Sequence, residues 1–228
     1  MIPPVMPDPT PALHHLPAAT LRRQLRERLA TRSFGDSDLR LGAFSSATLE
    51  RLRAIMPAQP MRAAVLIPLV DRGEDLTVLM TRRASDLTHH AGQISFPGGR
   101  LEPGDRDAVA AALRETEEEI GLRPEFIEVI GKLPDHVVIS GYRVTPVVGL
   151  VRPGFELVLD PKEVFATFEA PLRHLLDPAT RARRSHQFGG EVLESFDLPW
   201  GEHNIWGATA GMLLTLVEVL GGSPNHAD

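Results

Sequence analysis

The chain has 228 residues, 43% of them hydrophobic and 24% charged, with a formal net charge of −6. That size and balance suit one sizeable globular core with appendages, and an acidic chain without a basic block argues against nonspecific nucleic-acid binding. There is no cysteine, which excludes disulfides, thiolate nucleophiles and zinc–thiolate sites.

Residues 1–18 are proline-rich. Pro3, Pro4, Pro7, Pro9 and Pro11 interrupt any apolar run, so the stretch reads as a flexible tail and not as a signal peptide. Residues 19–57 read as a helical segment in two parts. Over 20–31, Leu21, Leu25 and Leu29 recur at i, i+4 and i+8 with arginines between them. This predicts a basic amphipathic helix packed on the domain or on a neighbour. A second helix is expected from Ser46, with Leu49, Leu52 and Ile55 as apolar positions and Pro57 beyond its end.

The pattern then changes. Residues 63–70 are a near-continuous apolar run, 71–75 a turn and 76–82 a returning strand. Phe96-Pro97-Gly98-Gly99 reads as a tight turn whose backbone can approach a ligand closely. Val109, Ala112, Leu113, Thr116 and Ile120 then form the apolar stripe of a helix. Asp105 and Asp107 stand near its start, and Gly121 suits a left-handed C-cap. Residues 126–132, 143–151 and 164–168 are strand-like, and 171–176 is a short helical segment with an early proline. Phe188, Val192 and Phe196 suggest a hairpin around Gly189-Gly190. A C-terminal helix is expected over 207–220, too short to span a bilayer and interrupted by Glu218. Strands interleaved with a few helices predict one mixed α/β layered domain over 58–221, with 222–228 as a tail.

Glu115, Glu118 and Glu119 stand at i, i+3 and i+4 in this central helix, so their carboxylates share one face, rotated away from the apolar stripe. Like charges at that spacing cost a few tenths of a kcal/mol per pair. A bound divalent cation would offset the repulsion, and Mg²⁺ or Mn²⁺ suits an all-oxygen site. The alternative is a solvated acidic surface. It loses ground because the glutamates follow the Pro97-Gly98-Gly99 turn.

Arg114, Glu115, Glu118, Glu119, Gly121 and Leu122 fall into the second half of the pattern G-x5-E-x7-R-E-U-x-E-E-x-G-U, and the segment resembles the Nudix hydrolases. Thr116 stands where that family has an aliphatic residue. The spacing from Gly99 to Arg114 is one residue longer than the pattern, and Asp105 is the carboxylate nearest to its early glutamate. Upstream, Leu79-Met80-Thr81-Arg82-Arg83-Ala84, Gly92 and Phe96-Pro97-Gly98-Gly99 are similar to the extended pattern L-L-T-x-R-[SA]-x3-R-x3-G-x3-F-P-G-G of coenzyme A pyrophosphatases. Met80 replaces the second leucine and Thr88 the later arginine. Ile205-Trp206-Gly207-Ala208-Thr209-Ala210 is also similar to that subfamily's C-terminal segment.

The resemblance implies a Nudix-type α/β/α sandwich with a mixed sheet, plus N-terminal helices. It implies metal-dependent hydrolysis of the pyrophosphate bond of coenzyme A or a derivative, giving 3′,5′-ADP and 4′-phosphopantetheine. By resemblance Glu115, Glu118 and Glu119 hold Mg²⁺ or Mn²⁺, the carbonyl of Gly98 adds a ligand, and Arg114 orients a neighbouring carboxylate. Gly98 and Gly99, with Arg82 and Arg83, are the candidate substrate contacts. Successive strand residues face opposite sides, so one of the two arginines is structural or solvated. Glu163 is the candidate fourth carboxylate, or else a solvated glutamate at a strand start. His89 and His90 read as general bases or as mere surface, and His136 and His203 have weaker claims. Trp206 is read as core in preference to a base-stacking platform, since nothing but its position favours stacking. The rival readings are hydrolysis of ADP-ribose or NADH, and a domain that binds a nucleotide only to regulate. The expected partner is a small molecule, with no nucleic acid and no membrane, in the cytoplasm.

Overall fold

A computed structural model describes residues 12–35, 38–41, 60–84, 92–138, 140–188 and 191–223. The helix expected from Ser46, together with Thr88, His89, His90 and the Gly189-Gly190 turn, lies outside the described residues. In chain order the elements begin with α1 (Ala18–Ala30), β1 (Arg40–Leu41), β2 (Met61–Asp71), β3 (Leu76–Arg83), β4 (Ile94–Ser95), β5 (Gly98–Arg100) and α2 (Ala108–Ile120). There follow β6 (Ile127–Lys132), β7 (His136–Val138), β8 (Tyr142–Val151), β9 (Val164–Pro171) and α3 (Leu172–Leu176). The chain closes with β10 (Ala182–Phe188), β11 (Glu191–Trp200), β12 (His203–Ile205) and α4 (Gly207–Val219).

The apolar run of β2 becomes the centre of a nine-stranded mixed sheet, parallel to β8 along its length. Such a run needs cover on both faces, and it has it. Ala63, Ile67 and Leu69 pack with α1, α3 and α4, whereas Ala64 and Leu66 pack against Ala108, Ala111 and Ala112 of α2. Val70 meets Ile120 and Leu122 on that second face. The period of two along one strand therefore makes three layers, helix–sheet–helix. The strands β10, β11 and β12 form a separate antiparallel ribbon.

The sheet forks between β2 and β3. They pair over Leu69–Asp71 and Leu76–Val78, then part. Residues 94–100 fill the gap: β4 pairs with β3 at Thr81 and Arg82, and β5 pairs with β2 at Ala63–Val65. The Leu66 N–H donates to the Pro97 carbonyl at 2.9 Å. The expected turn at 96–99 is thus a bend between two very short strands. The outer edge of β3 pairs with β9, and a bulge interrupts that ladder. Arg82 stands opposite Ala166 and Arg83 opposite Val164, which leaves Phe165 as an extra residue.

The leucines of α1 are buried as their spacing predicts. Arg26 grips Glu128 through both carboxylate oxygens at 2.9 and 2.7 Å, and Arg22 pairs with Asp71, so the basic helix is seated on this domain. Residues 12–18 differ from the expected flexible tail. Leu13–His15 form a 3₁₀ turn, and Leu13 and Leu16 pack on the same core as α1. Two leucines among the prolines supply apolar surface that a reading from the prolines alone overlooks. Among the described residues, no helix is long and apolar enough to cross a membrane.

Candidate active site

Helix α2 starts where Asp107, in extended conformation, accepts the Ala110 N–H at 2.8 Å. It ends at Gly121, whose φ of 71° fits the left-handed cap, and a Cβ there would come within 2.8 Å of the Val158 nitrogen. Its buried face comprises Ala108, Ala111, Ala112, Thr116, Glu119 and Ile120. Thr116 satisfies its hydroxyl on the Ala112 carbonyl at 2.6 Å. One expectation fails here: the glutamates do not all turn away from the stripe. Glu119 lies within it at 3% exposure, while the Glu118 side chain is 59% exposed.

Two donors meet the buried Glu119 carboxyl. Its Oε2 accepts the Gly98 N–H at 3.1 Å, and its Oε1 lies 3.5 Å from the Arg83 guanidinium. Burial nevertheless pushes its carboxyl up to about 8, with Glu163 and Glu115 adding to the rise and Gly98 and Arg83 opposing it. Burial also raises the Glu115 carboxyl, which Arg114 opposes and Glu118 and Glu163 reinforce. The neighbouring carboxylates thus make Glu115 and Glu119 harder to ionise.

The two glycines of β5 have separate reasons. Gly98 has φ 147°, and a Cβ there would lie 2.4 Å from the Ala64 carbonyl. At Gly99 a Cβ would lie 2.4 Å from the Glu115 carboxylate, so that carboxylate occupies the space a side chain would take. Arg114 ties the cluster together. It holds Asp105 through two hydrogen bonds of 3.1 and 3.0 Å, Glu115 at 3.0 Å, Glu118 at 2.9 Å and the Arg100 carbonyl at 3.2 Å. The Asp105 hydrogen bonds raise the arginine well above its ordinary value and hold the Asp105 carboxyl below its own. Asp105 is therefore the residue that fixes Arg114.

A cavity of about 990 Å³ opens beside these groups. Its lining draws on both faces of the sheet: Val65 and Met212 from the side of α4, and Glu115 and Glu119 from α2, with Gly98 and Gly99 between them. Glu115, Glu119, Glu163 and Arg83 form one end. Val65, Ile94, Val137, Val138, Val144 and Met212 form an apolar wall, with Tyr142 and Trp206 beside it. Of the residues expected at the site, Glu118 and Arg114 stand behind this lining, linked to each other. Arg82 faces the other way, with its guanidinium 5.4 Å from the exposed Phe165 ring. Strand parity separates the two arginines, and Arg83 is the one on the side of α2. His136 is a buried neutral histidine on Thr215 (3.1 Å), its pKa lowered to about 3 by burial. His203 stacks on Phe168 at 3.7 Å. Trp206 corrects another expectation, since it borders the cavity and is not core. Arg100 and Tyr142, joined at 2.6 Å on the cavity wall, went unnoticed in the sequence, where they are 42 positions apart with no pattern linking them.

The donors at the acidic end are all oxygen: three carboxylates and the peptide of Gly98. The raised proton affinities of Glu115 and Glu119 mark a place short of positive charge, which fits a hard divalent ion. Among the described residues no three acidic or histidine side chains already stand close enough to close around one.

Comparison with known proteins concerns the same segment. Residues 60–188 match the NUDIX domain family. The chain is 41% identical over 169 residues to "Uncharacterized Nudix hydrolase NudL" of Enterobacter sp. (strain 638), covering 72% of this chain and 84% of that protein. It is 42% identical over 171 residues to the protein of the same name from Escherichia coli (strain K12), with 72% and 84% covered. A MutT/nudix family protein from Enterococcus faecalis, a solved structure, is similar at TM-score 0.44 and 16% identity, over 77% of this chain and 67% of that one.

Proposed function

The chain belongs to the Nudix hydrolase family, and from that premise we propose that this pyrophosphohydrolase cuts the pyrophosphate bond of coenzyme A or a derivative, giving 3′,5′-ADP and 4′-phosphopantetheine. The supporting observation is the cavity. Carboxylates and Arg83 at one end suit a diphosphate with its cation, and the long apolar wall suits an extended arm of low polarity.

Glu115, Glu119 and Glu163, with the Gly98 carbonyl, would hold Mg²⁺ or Mn²⁺, and Glu118 joins them by the family's pattern. Such an ion neutralises phosphate oxygens and lowers the pKa of bound water. The chain's own part is positioning. The Gly98 N–H fixes the Glu119 carboxylate, Arg114 aligns Glu115 and Glu118, and Asp105 fixes Arg114. Arg83 lines the cavity next to Glu119, and its guanidinium would meet a phosphate oxygen. The test compares kcat/KM for coenzyme A, ADP-ribose, NADH and diadenosine polyphosphates at equal Mg²⁺ or Mn²⁺. Coenzyme A should rank among the best. If it does not, the substrate reading falls while family membership stands.

A further inference from the structure

We propose that Trp206 is the surface on which the purine base of the substrate stacks, and that His186 and Asp197 are positioning residues that hold its indole in place. The proposal rests on the nucleotide-substrate reading above.

Trp206 precedes α4 in extended backbone and borders the cavity. One face of its ring is already covered: His186 of β10 lies 4.0 Å away with the planes only 11° apart. What remains for the cavity is the opposite face and the edge. His186 is itself fixed, with Nε2 at 2.9 and 3.0 Å from the two oxygens of Asp197.

Asp197 has no exposed surface, and it also accepts Ser195 Oγ at 2.7 Å and Asn204 Nδ2 at 2.6 Å. A carboxylate so deeply placed is costly unless fully bonded, and a network of this kind rigidifies what it touches. Serine, histidine and aspartate in one cluster invite a nucleophile reading. The geometry rejects it, because the Ser195 hydroxyl donates to Asp197 and not to the imidazole. The network meets the cavity wall where the flat face of His186 lies on Trp206. An indole backed by a locked imidazole is a preorganised aromatic plane, and the partner that matches a plane is another plane. A purine presents the larger one.

The chain holds two tryptophans, Trp200 and Trp206, so fluorescence separates them. Trp200 packs against His174, centroids 4.8 Å apart, and does not line the cavity. Adenosine 3′,5′-bisphosphate is titrated into the full-length protein without metal, with ribose 5-phosphate as the base-free control. Quenching is expected in the wild type and in Trp200→Phe, but not in Trp206→Phe, and not with the control. In turnover assays Trp206→Leu should raise KM about tenfold with kcat changed less than twofold, while Trp206→Phe stays within about threefold. His186→Ala should raise KM similarly, and His186→Phe should restore it. Quenching that survives in Trp206→Phe, or a Trp206→Leu that folds with unchanged KM, overturns the proposal. Quenching by the bisphosphate in a protein that does not cut coenzyme A leaves the stacking intact and removes only the substrate assignment.

Discussion

Replacing Glu119 by glutamine should stabilise the metal-free protein and disable the enzyme, and the two effects should separate with pH. In the folded chain this carboxyl is pushed from an ordinary 4.5 up to about 8 by burial. Between those values the native state keeps a proton that the unfolded chain has lost, so wild-type stability falls as pH rises through that window. At pH 7 the loss is on the order of 3 kcal/mol, from about 1.4 kcal/mol per pH unit. The amide oxygen of glutamine can still accept the Gly98 N–H, but its NH₂ faces Arg83 and forfeits about 1 kcal/mol. The net gain at pH 7 is about 2 kcal/mol, or about 4 °C in Tm for a domain of this size. At pH 5 the gain should vanish. Thermal melts of both proteins in chelator, from pH 5 to 8, provide the assay. Added Mg²⁺ should raise the wild-type Tm and leave the variant unmoved, while kcat of the variant falls about 100-fold or more. Parallel pH profiles for the two proteins in chelator would refute the reasoning.

Gly99→Ala changes no charge, yet its methyl must enter the space of the Glu115 carboxylate. Calorimetry should show Mg²⁺ affinity lowered about tenfold or more, with kcat/KM falling alongside. Asp105→Asn removes the anion that fixes Arg114, and kcat should fall about tenfold with KM little changed. A chain beginning at Thr20 loses Leu13, Leu16 and Ala18 from the core, and its Tm should drop by about 5 °C or more.

What the sequence made legible follows from range. The runs at 63–70 and 143–151 announce themselves because each strand is covered on both faces. Helix α2 is readable at both ends because its caps are local chemistry. The two-residue strand β4 and the glycine-rich β5 carry no periodicity, and they exist only because the sheet forks around them. The unequal burial of Glu118 and Glu119 depends on which side of α2 meets that fork. The roles of Asp105 and of Trp206 rest on contacts with Arg114 and with the β10–β11 ribbon, which neither helical nor strand spacing encodes. Parity told that Arg82 and Arg83 diverge, and only the placement of α2 told which one turns toward Glu119.

Phe165 has a consequence for how this chain can change over time. It is 67% exposed, with the Arg82 guanidinium over its ring, so its identity should be free to drift. Its presence should not. As the extra residue of the bulge it sets the count between the β9 ladder and Glu163. Deleting it would draw Glu163 about 3.3 Å along β3 and invert the alternation of everything before it. An insertion beside it would do the reverse. In a library of variants, substitutions at 165 should survive a screen for turnover, and single-residue insertions or deletions at 164–166 should be lost from it.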